Sequence, residues 1–192
     1  MYTVNPELDK KDKIILSMTH DNNEISQEEI AKRLHISQPS VAVRIKKLKN
    51  RGLIEQIIGV NLNKVKLKVA MVQVATTNTE KILNMFRDCP FFLNGFIVSG
   101  KENLFLLLVG DDMASLESII DSHIRSDKDV QSVEFNIIIT SIKDFVIPIN
   151  IPTEALNNPP CGLDHKCEEC YAFKTNRCFG CPATGKYKGT FW

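Results

Sequence analysis

Five of the six cysteines in this 192-residue chain stand at Cys161, Cys167, Cys170, Cys178 and Cys181, spaced C-x5-C-x2-C-x7-C-x2-C in the stretch CGLDHKCEECYAFKTNRCFGCP. A C-x2-C turn points both thiolates at a common centre, and two such turns supply the four sulfur ligands of a zinc ion or an iron–sulfur cluster. Zinc would take Cys167, Cys170, Cys178 and Cys181 and leave Cys161 spare, across a cramped seven-residue connection. A [4Fe–4S] cluster takes four thiolates as well. His165 is a substitute donor, although a solvent-facing loop histidine is the commoner case. Cys89, alone before Pro90, reads as a small buried residue outside the site.

Around these thiols the chain has the composition of a soluble globular protein with a cytoplasmic address. The start MYTVNPELDKKDK lacks the apolar core of a signal peptide, and no stretch approaches the roughly 18 apolar residues of a membrane span. In a reducing compartment, clustered thiols are metal ligands or redox groups more often than disulfides. Charge is uneven: residues 1–66 carry 12 Lys/Arg against 8 Asp/Glu, residues 67–160 carry 7 against 12, and residues 161–192 carry 5 against 3. A basic N-terminal part on a modular chain points to a polyanionic partner. Arg44, Lys46, Lys47, Lys49 and Arg51 concentrate that charge within eight residues.

The basic run lies on the third of three short helices. Ile14, Ile15 and Met18 share a face of the first, beginning after Asp9. SQEE from Ser26 caps the second and offers a reciprocal box with Glu29. His35-Ile36-Ser37 leaves room only for a tight turn, and Ser37 caps the third helix with Pro39 in its first turn. Val41, Ile45 and Leu48 face inward, which leaves Gln38, Ser40, Val43, Arg44, Lys46 and Lys47 for the major groove: small and amide side chains near base edges, cations for guanine or phosphate.

Leu8-Asp9, Asp12, Ile30-Ala31-Lys32-Arg33-Leu34, Ser37, Val41, Arg44, Leu48 and Gly52-Leu53-Ile54 together resemble the winged helix-turn-helix domain of the Lrp/AsnC transcription regulators. The segment behind it agrees. LKVAMVQVAT, FFLNGFIVSG, LFLLLVG and VQSVEFNIII read as strands, with TEKILNMFRD and DMASLESIIDSHI as helices, in the order βαββαβ of a ferredoxin-like unit. Its sheet has one face without helices, which calls for a partner copy. The resemblance implies a homodimer or larger oligomer on a pseudo-palindromic double-stranded operator, and a small-molecule effector between subunits. At the effector turn the family's Gly-x-x-Asp becomes Gly100-Lys101-Glu102-Asn103, so Gly100, Lys101 and Asn103 are the effector candidates, with a carboxylate replaced by an amide.

The fold expected is α+β: a winged helix-turn-helix over 1–62, a ferredoxin-like dimerisation and effector domain over 63–146, a proline-rich linker over 147–160 and a cysteine-rich metal-stabilised tail over 161–192. Some 32 residues bury too little to fold alone, so a metal is the natural source of the tail's stability, with Tyr171, Phe173, Phe179, Tyr187, Phe191 and Trp192 as an aromatic shell. The tail also resembles a small cysteine-rich module of uncharacterised prokaryotic proteins, and Pro182 after Cys181 resembles ferredoxin-type ligation, which tilts the expectation from zinc to iron–sulfur. The function expected is a DNA-binding regulator tuned through the tail. The alternatives are a DNA-bound redox protein using the tail thiols, a structural zinc module and a partner-recruiting element. No Ser/His/Asp set, phosphate loop or paired carboxylates mark an enzyme.

Overall fold

The computed structural model describes residues 7–162 and 166–192 and separates into two compact units, one ending at Ile57 and the other running Ile58–Trp192. His165 lies outside the described residues. No helix among them is long and apolar enough to cross a membrane.

The first unit is a three-helix cluster: α1 (Lys10–Asp21), α2 (Gln27–Leu34) and α3 (Gln38–Asn50). Each begins where a side chain can satisfy the orphan amides of its first turn. Asp9 and Asp12 form a complete reciprocal box on α1, Ser26 accepts from the Glu29 amide at 3.1 Å on α2, and Ser37 accepts from the Ser40 amide at 3.4 Å on α3. His35 ends α2 in the left-handed region (φ 52°), which lets the chain reverse within three residues. Ile15, Ile30, Val41 and Leu48 are buried at the centre.

The second unit is built on a four-stranded antiparallel sheet in the order β3-β4-β2-β5, from β2 (Lys68–Thr76), β3 (Phe92–Ile97), β4 (Leu104–Gly110) and β5 (Val130–Ile138). This is the ferredoxin-like order. α4 (Thr79–Phe86) and α5 (Met113–Ile120), the latter continued by a π-helical turn Asp121–Arg125, cover one face. Alternation puts Ala70, Val72, Val74, Leu104, Leu106 and Leu108 under Ile82, Phe86, Leu116, Ile120 and Ile124, all fully buried.

The opposite face is less apolar and less bare than its sequence suggests. A two-stranded ribbon, β1 (Val60–Asn61) paired with β6 (Val146–Ile147), closes a small core of Leu62, Val69 and Val109 over one end of it. Elsewhere Met71, Phe105 and Leu107 share the face with Gln73, which donates to Glu134 at 3.5 Å, and with Asn136. The exposed apolar residues Phe96 and Ile97 lie on the edge strand β3.

The tail docks on the helical side. α5 buries two serines, and both hydroxyls serve the tail's backbone: Ser115 accepts from the Phe179 amide at 3.1 Å, and Ser118 donates to the Arg177 carbonyl at 3.1 Å. Trp192 packs edge-on against Phe91 with centroids 5.0 Å apart and donates its indole N–H to the Asn150 carbonyl. Tyr187 closes the same cluster. The tail therefore draws on the sheet domain for its packing, beyond the self-contained aromatic shell that its sequence suggests. Ser115→Ala leaves the Phe179 amide unsatisfied and Ser118→Ala the Arg177 carbonyl; each loosens the tail by about 1–3 kcal/mol. The measurement is amide exchange, which should quicken within 177–192 while α1 to α3 stay as protected as before.

Candidate functional site

On α3 the side chains proposed for the groove separate into two groups. Gln38, Ser40, Val43, Lys46 and Lys47 are exposed, Val43 at 68%. Arg44 instead turns toward α1, where its Nη1 donates to Asp9 Oδ2 and to Asp12 Oδ1, both at 2.6 Å. Those contacts hold the Arg44 guanidinium above its ordinary pKa. The Asp12 amide, and Arg44 after it, hold the Asp9 carboxyl below the usual carboxylate range. Arg44, read from sequence as a groove-facing cation, is thus also held against α1, where its ion pairs seat the helix.

The turn between β3 and β4 has a structural account for its amide. The β2–β5 register shifts between Ala75 and Thr76, and the β2–β4 ladder stops at Val74–Leu104, so the Thr76 backbone needs other partners. Asn103 supplies both: its Oδ1 accepts from the Thr76 amide at 3.0 Å and its Nδ2 donates to the Thr76 carbonyl at 2.8 Å. A carboxylate accepts only, so it fills half of this role. Gly100, at φ 129°, makes the bend, and Lys101 is exposed. Asn103, taken from sequence as an effector contact, is committed to the sheet.

The cysteines come together. Cys161, Cys167, Cys170, Cys178 and Cys181 all line one cavity of about 350 Å³ between the tail and α5. Short helical turns shape its rim: Cys167–Glu169 lies within the first C-x2-C pair and α6 (Tyr171–Lys174) follows it, and Gly180, at φ 86° against Phe173, turns the second. Burial pushes the Cys181 thiol up to about 11 and raises Cys178 as well. Among the described residues, no three His, Cys, Asp or Glu side chains converge closely enough to hold a single ion.

Two further donors on the cavity wall escaped the sequence reading. Cys89 is buried as expected, yet it lines the same cavity, and burial raises its thiol. His123 sits in the π-helical turn with its Nε2 3.0 Å from Cys161 Sγ. Its position was readable: His123 stands at i+4 from Ile119 and i+7 from Leu116, on the buried stripe of α5.

Comparison with known proteins follows this division. Residues 8–55 match the model for winged helix-turn-helix DNA-binding, and residues 68–147 match that for the Lrp/AsnC ligand binding domain. An uncharacterized HTH-type transcriptional regulator of Pyrococcus abyssi is 30% identical over 132 residues, covering 64% of this chain and 82% of its own. The chain belongs to the Lrp/AsnC family. The HTH-type transcriptional regulator LrpA of Pyrococcus horikoshii is 28% identical over 140 residues, 71% of this chain and 99% of that one. Escherichia coli AsnC shares the fold with a TM-score of 0.61 at 17% identity, over 72% of this chain and 96% of its own. This Lrp/AsnC protein is accordingly a DNA-binding transcription regulator and not an enzyme. The ligand-binding match ends at 147, so the cysteine tail is an addition to the Lrp/AsnC pattern.

Three outcomes are expected from substitution. Lys46→Gln and Lys47→Gln each lower the slope of log affinity for operator DNA against log salt by about 1. Arg44→Gln weakens binding with the slope kept, because it unseats the helix and leaves the phosphate contacts in number; fluorescence anisotropy over a salt series separates the two. Asn103→Asp loses the bond to the Thr76 carbonyl and sets a carboxylate against it, for about 1–3 kcal/mol, read by denaturant unfolding.

Proposed function

We propose that this regulator binds a pseudo-palindromic operator in double-stranded DNA as a cytoplasmic homodimer, alone or in larger assemblies, and that its cysteine cavity holds a [4Fe–4S] cluster whose state tunes operator binding. The observation that carries the reading is that all five tail cysteines line one cavity walled on its other side by α5 of the ligand-binding domain. A tetrahedral zinc ion, with Zn–S bonds of about 2.3 Å, needs its four sulfurs about 3.8 Å apart. The five thiols lining the cavity of about 350 Å³ supply the donor set on which the cluster reading rests.

The donors would come from Cys161, Cys167, Cys170, Cys178 and Cys181, four of them as thiolates. A bound cluster supplies responsiveness to electrons, oxidants and iron supply. The chain's own part is to transmit occupancy: Ser115 and Ser118 tie the backbone between the thiols to α5, so a change in the tail reaches the ligand-binding domain directly. A small-molecule effector belongs to the reading through the matched ligand-binding domain, and the polar half of the open sheet face, Gln73 and Glu134, suits a partner copy. Structural zinc is the second reading, supported by the paired C-x2-C spacing.

Protein purified without oxygen decides between them. Brown protein with four irons and four sulfides per chain supports the cluster, whereas colourless protein with one zinc supports the structural site. Operator binding by loaded and metal-stripped protein, side by side, is expected to differ in affinity or cooperativity. Equal curves for the two would reduce the cavity to a structural role.

A further inference from the structure

α2 and α3 each begin with a glutamine, and the turn between the helices brings the two side chains together: Gln38 Nε2 donates to Gln27 Oε1 at 3.4 Å. Neither amide caps a helix, since Ser26 and Ser37 do that. Gln38 is exposed and Gln27 half-buried, so the pair stands at the surface with Gln38 as its outer member. The other outward side chains of α3 are differently equipped. Ser40 Oγ shares a hydrogen bond with Ser37 Oγ at 2.8 Å, Val43 has no polar side-chain atom, Arg44 is held by Asp9 and Asp12, and Lys46 and Lys47 are cations without an acceptor. Among them Gln38 alone offers a donor and an acceptor in one plane.

We infer that Gln38 reads an adenine of the operator, and that Gln27 is a positioning residue that holds the Gln38 amide for it. This rests on α3 lying in the major groove. A carboxamide has two N–H hydrogens and a carbonyl oxygen. One hydrogen of Gln38 goes to Gln27, which leaves the second hydrogen and the carbonyl oxygen. That remaining pair complements the groove edge of adenine, where N7 accepts and the N6 amino group donates. An unheld glutamine must give up rotamer freedom to present such an edge, and its amide can turn over. The contact with Gln27 settles which end carries nitrogen and removes part of that entropic cost before DNA arrives. Gln27 therefore acts on the choice of one base pair, whereas Lys46 and Lys47 act on affinity for any duplex. On a pseudo-palindromic operator the adenine recurs once in each half-site.

The test uses full-length protein. Wild type, Gln38→Ala, Gln38→Glu, Gln27→Ala, Gln27→Glu and Lys47→Gln are each used to select from a pool of random-sequence DNA duplexes, and the bound fraction is sequenced. Wild type should select a motif with adenine fixed at one position of each half-site. Gln38→Ala should lose discrimination there by about 5- to 150-fold, that of one bidentate pair, with the other positions kept. Gln38→Glu should move the preference to cytosine, whose N4 amino group donates to a carboxylate. Gln27→Ala should lose part of the adenine preference at the same position and nowhere else. Gln27→Glu still offers an acceptor to Gln38 Nε2, so it should keep the preference while binding every duplex more weakly. Circular dichroism checks that each variant is folded, and where alanine unfolds the chain the glutamate variant at that position decides. A wild-type motif without a fixed adenine, or an unchanged motif in Gln38→Ala or Gln27→Ala while Lys47→Gln still weakens binding, overturns this inference. Unchanged binding in all three places α3 outside the groove, and the inference falls with that reading.

Discussion

Two serine hydroxyls buried on one helix hold the cysteine site in existence. A buried hydroxyl without a partner costs roughly what a lost hydrogen bond does, so Ser115 and Ser118 of α5 must be satisfied by something. What satisfies them is the backbone at Phe179 and Arg177, on either side of Cys178. The tail is thereby pinned with its thiols over the π-helical turn, and the cavity is the space left between the two. Phe91, Tyr187 and Trp192 add apolar contact further along, but they leave open where along α5 the tail sits. The serine pair answers that.

Much of the architecture was legible because it depends on neighbours in sequence. Ser26 and Ser37 announce helix starts through side chains that reach three residues ahead, and strand alternation in LKVAMVQVAT or LFLLLVG follows from the pleat. Contacts between distant segments were not legible in the same way. Arg44 looked like a cation for DNA because nothing local claims it; its acidic partners lie 35 and 32 residues earlier. Asn103 looked like an effector residue that had lost its charge, yet an amide is required there because Thr76 presents both a donor and an acceptor. Cys89 and His123 reach the cavity only through the packing of distant segments of the chain against the tail.

The sheet shows how the chain limits its own stickiness. An uncovered antiparallel face of Val, Leu and Phe would bind copies in any register, whereas here the β1–β6 ribbon shields one end and Gln73, Glu134 and Asn136 interrupt the remainder. Polar groups at fixed places in an apolar face make a partner's alignment matter, since a slipped copy would leave them unpaired.

The seat of Arg44 bears on how the protein searches for its site. Non-specific affinity for DNA grows with the number of uncompensated cations that can meet phosphates, and it is insensitive to which bases lie beneath. Asp9 and Asp12 compensate the charge of Arg44 within the fold, so α3 presents one cation fewer to any polyanion than its sequence counts. An acidic pair at the start of one helix thus sets how much positive charge another helix carries to its surface.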